Sequence, residues 1–153
     1  MTNPLPKLAV PVVALALSLG GAPILAAQIG VGTWAKDSGS ITMTVETCCG
    51  PKGRRLTYRF AMGGGKTLMT VDSPFDGSEA PVLINGKPSG ETMAIKWLDD
   101  HHTFTVLKMN GKPFGTSKAT LSPDRKKLTV ENDVSAAAGG QQVGKSTEVW
   151  TKQ

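Results

Sequence analysis

Four side chains able to hold a soft metal or move a proton stand as two adjacent pairs. They are Cys48-Cys49 in VETCCGPKGRR and His101-His102 in LDDHHTF, the chain's whole stock of cysteine and histidine. Adjacent cysteines are poor material for a structural staple. Consecutive trans Cα atoms lie about 3.8 Å apart, below the usual disulfide window of roughly 4.4–6.8 Å. A bridge between them closes no loop, so it adds almost no loop-closure stability. Lys52, Arg54 and Arg55 are placed to lower a thiol pKa, yet the Cys-x-x-Cys spacing of thiol oxidoreductases is missing. The pair therefore reads as unbridged thiols in a turn. A strained redox pair, a link between chains and a metal site are the other readings.

A zinc site drawing on both pairs meets a geometric objection. In a meander of strands the cysteine and histidine turns fall at the same end. Four strands at about 4.8 Å spacing then separate them, far beyond zinc–ligand distances. Asp99-Asp100-His101-His102 resembles an acid–base cluster, but these are ordinary hairpin-tip residues. Gly63-Gly64-Gly65-Lys66-Thr67 resembles a phosphate loop; the motif requires glycine where Phe60 stands, and a helix should follow. No serine sits in Gly-x-Ser-x-Gly. The expectation is a protein that is not an enzyme, with no catalytic residue, no metal and no cofactor.

Alternation fixes what must position these residues. In SITMTVET, Ile41, Met43 and Val45 share one face. In LTYRFAM, Leu56, Tyr58, Phe60 and Met62 do, and in TMAIKWL, Met93, Ile95 and Trp97. This is the period of half-buried strands, and no stretch after Gly30 has a convincing helical period. Eighteen glycines and ten prolines supply turns at near-even spacing, among them Asn85-Gly86 and Asn110-Gly111, whose residues tolerate the positive φ of tight hairpins. The flanking NGKPSG and NGKPFG form an internal echo best read as repeated turn chemistry. Ten strands follow: 30–36, 40–47, 54–61, 65–72, 80–84, 91–98, 103–109, 113–121, 127–134 and 143–152. So long a twisted sheet curls or closes. The expected fold is all-β, an antiparallel up-and-down meander closed into a barrel of about 8–10 strands, with a two-sheet β-sandwich as the alternative.

The 153 residues are the length of one domain. Residues 1–27 carry one positive charge, Lys7, then a Leu/Ala/Val run ending in small residues, and read as a secretory signal peptide. The barrel domain is then 28–153, an exported protein in the periplasm or outside the cell, with no stable membrane insertion after cleavage. Gln28 stands where a lipoprotein needs cysteine. The net charge of +5 is scattered over turns and only 5% of residues are aromatic, so no focused nucleic-acid surface is expected.

The first strand contains Gly32-Thr33-Trp34 and the last ends EVWTKQ. With FDGSEAPV, TMAIKWLDDHHTFTVLKMNGK and LSPDRKKLTV, they resemble small exported bacterial lipocalin-like proteins of the calycin group. The resemblance implies that Trp34 closes one barrel end with a basic residue packed on it, for which Lys152 is the candidate. The helices and the paired arginine and tyrosine of fatty-acid-binding barrels have no counterpart, so a fatty-acid ligand is not implied. The expected partner is a small apolar or amphiphilic molecule bound inside the barrel. Its walls come from the aromatic set Trp34, Tyr58, Phe60, Phe75, Trp97 and Phe104, with Trp34, Tyr58, Phe60 and Trp97 as the ligand-binding residues. An envelope interaction module with a filled core is the other reading. Arg59 or Lys96, if either points inward, would favour an anionic ligand.

Overall fold

The computed structural model describes residues 30–138 and 142–153; the proposed signal segment 1–27 lies outside them. Ten strands follow in chain order: β1 (Gly32–Lys36), β2 (Thr42–Thr47), β3 (Arg54–Met62), β4 (Gly65–Ser73), β5 (Asp76–Ile84), β6 (Lys87–Trp97), β7 (His102–Met109), β8 (Lys112–Leu121), β9 (Lys127–Val134) and β10 (Gly144–Lys152). Each pairs antiparallel with the next, and β10 returns to β1. The sheet is a closed barrel, not a sandwich.

Tight turns make this path possible. Asn85 and Asn110 take φ of 48° and 50°, each followed by a left-handed glycine, so both Asn-Gly pairs form two-residue hairpins. The β5–β6 hairpin extends about four residues further on each side than alternation suggested. Its ladder shifts register between Asp76 and Glu79 and again between Pro81 and Leu83. Those bulges, with Pro81, Pro88 and Gly90, hide the period of two.

The seam is short. Trp34 pairs with Lys152, Ala35 with Thr151 and Lys36 with Trp150. Beyond it, the Gln153 amide donates to the Thr33 carbonyl at 2.9 Å. The turns after β2, β4, β6 and β8 and the seam's Gln153 gather at one end, called here the cysteine end. The remaining turns mark the far end.

Inward positions are mostly apolar: Met43, Val45, Leu56, Val71, Val82, Met93, Ile95, Leu107, Leu121 and Val134 are all buried. The outer face instead carries charge. Arg55 grips Asp72 with two hydrogen bonds of 2.7 and 2.6 Å, and Lys108 pairs with Glu79. This is not the apolar band of a lipid-facing barrel.

Candidate binding site

The cysteine end is plugged. Trp34 is only 1% exposed, and Lys152 Nζ lies 5.7 Å from its ring centroid. Gly32 allows this: a Cβ there would sit 2.7 Å from Lys152 Cε. The Gly-x-Trp spacing is thus explained, since glycine leaves room for the lysine that covers the indole. At the same end Trp97 packs on Phe75, with centroids 5.3 Å apart, and on Arg54, whose Cζ is 6.0 Å from the ring. Trp97 Nε1 donates to the Lys52 carbonyl at 3.1 Å.

That last bond corrects an expectation. Strand counting put the cysteine turn across the rim from the β6–β7 turn, yet the β2–β3 turn folds over the barrel end and reaches Trp97. Flat spacing overlooks such a fold across the opening. The histidines are engaged elsewhere: His101 Nδ1 bonds the Leu121 carbonyl at the end of β8, and His102 Nδ1 bonds Asp99 in its own turn.

The cysteines require a second correction. Cys48 and Cys49 form a disulfide and are not free thiols. Cys49 takes φ of 55°. A left-handed residue turns two consecutive side chains toward one side, where a strand would send them to opposite faces. The turn is held by Cys48 N–H to Gly53 O and Gly53 N–H to Gly50 O, each 3.2 Å. Asp72 lies near both sulfurs, but Arg55 occupies its carboxylate and the joined sulfurs are not a thiolate set. An open depression of about 610 Å³ runs past Cys49, Lys52, Phe75 and Lys96 to Trp97. Trp97, which lines it, is already engaged by Phe75, Arg54 and Lys52.

The barrel interior differs. Tyr58 from β3 and Trp150 from β10 meet edge to face at 5.9 Å. Two strands separate β3 from β10 in the sheet, so the rings meet across the interior. Alternation from buried neighbours also turns Lys36, Glu91, Asn132 and Glu148 inward. Following the ladder register around tilted strands brings them to one belt with Tyr58, between the plugged end and the far end. Lys36 Nζ and Glu148 Oε1 pair at 2.8 Å. The Tyr58 hydroxyl is held above its ordinary pKa, first by burial and then by the fields of Glu148 and Glu91.

Glu91 is the outlier of the belt. It is 5% exposed, and among the described residues its Oε1 has no hydrogen-bond partner. Burial pushes its pKa up to about 7. Met43, Met69, Met93 and Met109 contribute to the surrounding core, and methionine repacks readily around irregular shapes.

The four residues expected to line a site are thus divided. Tyr58 and Phe60 lie along β3 from the belt toward the far end, both half-buried. Trp34 and Trp97 belong to the plug. Phe104 is outside, 39% exposed. Arg59 also faces out, donating to Thr44 Oγ1 at 2.9 Å, and Lys96 is exposed. The belt acids escaped a search for aromatic walls. Their signal was present in the alternation: Glu91 is in phase with Met93, Ile95 and Trp97, Lys36 with Trp34, and Glu148 with Trp150. A charge in the apolar phase of a strand marks a group that the fold must bury. No protein-family model, curated protein or solved structure matches this chain.

Proposed function

We propose that the protein is a non-catalytic, lipocalin-like carrier, exported after loss of residues 1–27, that binds a small amphiphilic molecule in the far half of its barrel. The observation that carries this reading is Glu91: a 5% exposed carboxyl inside a closed sheet, whose Oε1 lacks a partner among the described residues. Burying an unsatisfied polar group costs roughly 1–3 kcal/mol, and a filled core gains nothing from it. A guest that reaches the belt would satisfy it. The closed barrel supplies an apolar enclosure, the interior methionines supply adaptable walls, and the plug with Trp34 and Lys152 supplies a floor.

The test is a titration with a neutral, environment-sensitive apolar dye, read by dye emission and by tryptophan emission, together with native mass spectrometry of freshly purified protein. Saturable one-to-one binding, lost in a Tyr58→Arg variant that remains folded by circular dichroism, supports the carrier. A flat titration with no co-purifying molecule would instead leave the barrel as an interaction module with a filled core.

A further inference from the structure

The belt is charged asymmetrically. Lys36 is committed to Glu148 at 2.8 Å. Among the described residues no basic side chain pairs with Glu91, and its Oε1 accepts no hydrogen bond. The two carboxylates and one ammonium leave the belt one positive charge short when all three are ionised. Tyr58 and Trp150, in contact across the interior at 5.9 Å, add aromatic surface of the kind that attracts cations. The basic residues that would have served an anionic guest, Arg59 and Lys96, are on the outside.

Resting on the carrier reading above, we infer that the ligand's polar head is an ammonium group that pairs with Glu91 at the Tyr58 belt, its apolar body lying in the far half of the barrel. The alternatives fit less well. A carboxylate head would face two acids, and the cation beside them, Lys36, is already paired with Glu148. A hydroxyl could donate one hydrogen bond but leaves the buried carboxyl without a counter-charge. An ammonium satisfies both needs, because charge-assisted hydrogen bonds to buried carboxylates are stronger than neutral ones. No bond is made or broken; the site recognises charge and shape.

Three probes with one tail isolate the head group: dodecylammonium, dodecanol and dodecanoate, each below its micelle concentration at neutral pH. Affinities are read by tryptophan emission and by displacement of the apolar dye. The expected result is that the ammonium binds at least about tenfold more tightly than either other probe, the scale of one charge-assisted hydrogen bond. Glu91→Gln, which keeps the shape and removes the charge, should abolish that preference. Glu79→Gln, which removes an acid on the outer face, should preserve it and controls for general attraction to the protein. If dodecanol or dodecanoate binds as well as the ammonium, or Glu91→Gln keeps the preference, the head-group inference is overturned and the carrier reading stands. If none of the three binds, the carrier reading itself falls.

Discussion

Trp97 Nε1 and the Lys52 carbonyl, 3.1 Å apart, join the last residue of β6 to the turn that carries the disulfide. Lys52 is separated from Trp97 by 45 residues, so the bond pins the turn across the barrel end and does not merely decorate a hairpin. The disulfide and the indole are therefore parts of one local structure, and a change in one is reported by the other.

Reduction of Cys48–Cys49 should accordingly change tryptophan emission while costing little stability. The ring closes no loop, so the loss should stay below about 1 kcal/mol by loop-closure reasoning. Urea denaturation of the Cys48→Ser/Cys49→Ser variant beside the parent checks this. A large fall in the midpoint would mean that the bridge determines the turn. Thiol counting on unreduced, denatured protein should find none.

Gly53 closes the same turn. A Cβ there would collide with the Cys48 carbonyl oxygen and stand 2.6 Å from that of Cys49. These are backbone atoms, so relief requires opening the turn. Gly53→Ala should cost about 2–3 kcal/mol, in the range of strongly destabilising substitutions. Gly65→Ala is the control, since its nearest neighbour lies 3.9 Å away. Chemical denaturation of the pair should show a large shift for the first and little for the second.

Glu91 makes stability depend on pH in an unusual direction. Its folded pKa is raised from 4.5 to about 7, so between those values the folded state holds a proton that the unfolded chain releases. Stability is then greatest below the unfolded pKa, falls as pH rises through this window, and levels off above 7. Glu91→Gln removes the penalty. It should stabilise the protein by roughly 3 kcal/mol at pH 8 and by little at pH 4. Denaturation midpoints of parent and variant at the two pH values decide the matter.

Tyr58 is the chain's single tyrosine, which makes its ionisation visible without interference from another phenol. Burial and the neighbouring acids raise its pKa. Absorbance at the phenolate band should stay flat through the ordinary range near pH 10 and rise only as the barrel unfolds in alkali. Because the folded pKa is the higher one, the phenol opposes the folded state once pH exceeds the unfolded value. A smooth titration of folded protein near pH 10 would place the hydroxyl in water.

The sequence told most where physics is local. Alternation of Met43 with Val45, or Met93 with Ile95, needs only the pleat, and Asn85-Gly86 needs only two tolerant residues. Those signals located ten strands and their order, and closure followed from strand number. What escaped depended on distant partners. The Cys48–Cys49 bridge required the left-handed φ of Cys49, which nothing in a cysteine's identity announces. Trp97 contacts Lys52 because a turn folds over the end, which strand counting cannot show. Phe75, with φ of 59°, packs on Trp97, a contact that depends on the turn between β4 and β5 and is not visible in either strand alone. Glu91, Lys36 and Glu148 were legible one strand at a time, but their meeting in one belt depends on register around the whole barrel.

The seam joins residues near the two extremes of the described chain: Trp34 opposite Lys152. Every other ladder links neighbours in the sequence, so hairpins can form as the chain grows while this contact waits for the last strand. Until then β1 and β9 each expose a raw edge, the state most open to association with another chain. Folding speed should thus be governed by one ring-closing event, and truncation of the final strand should yield a sticky open sheet instead of a smaller barrel.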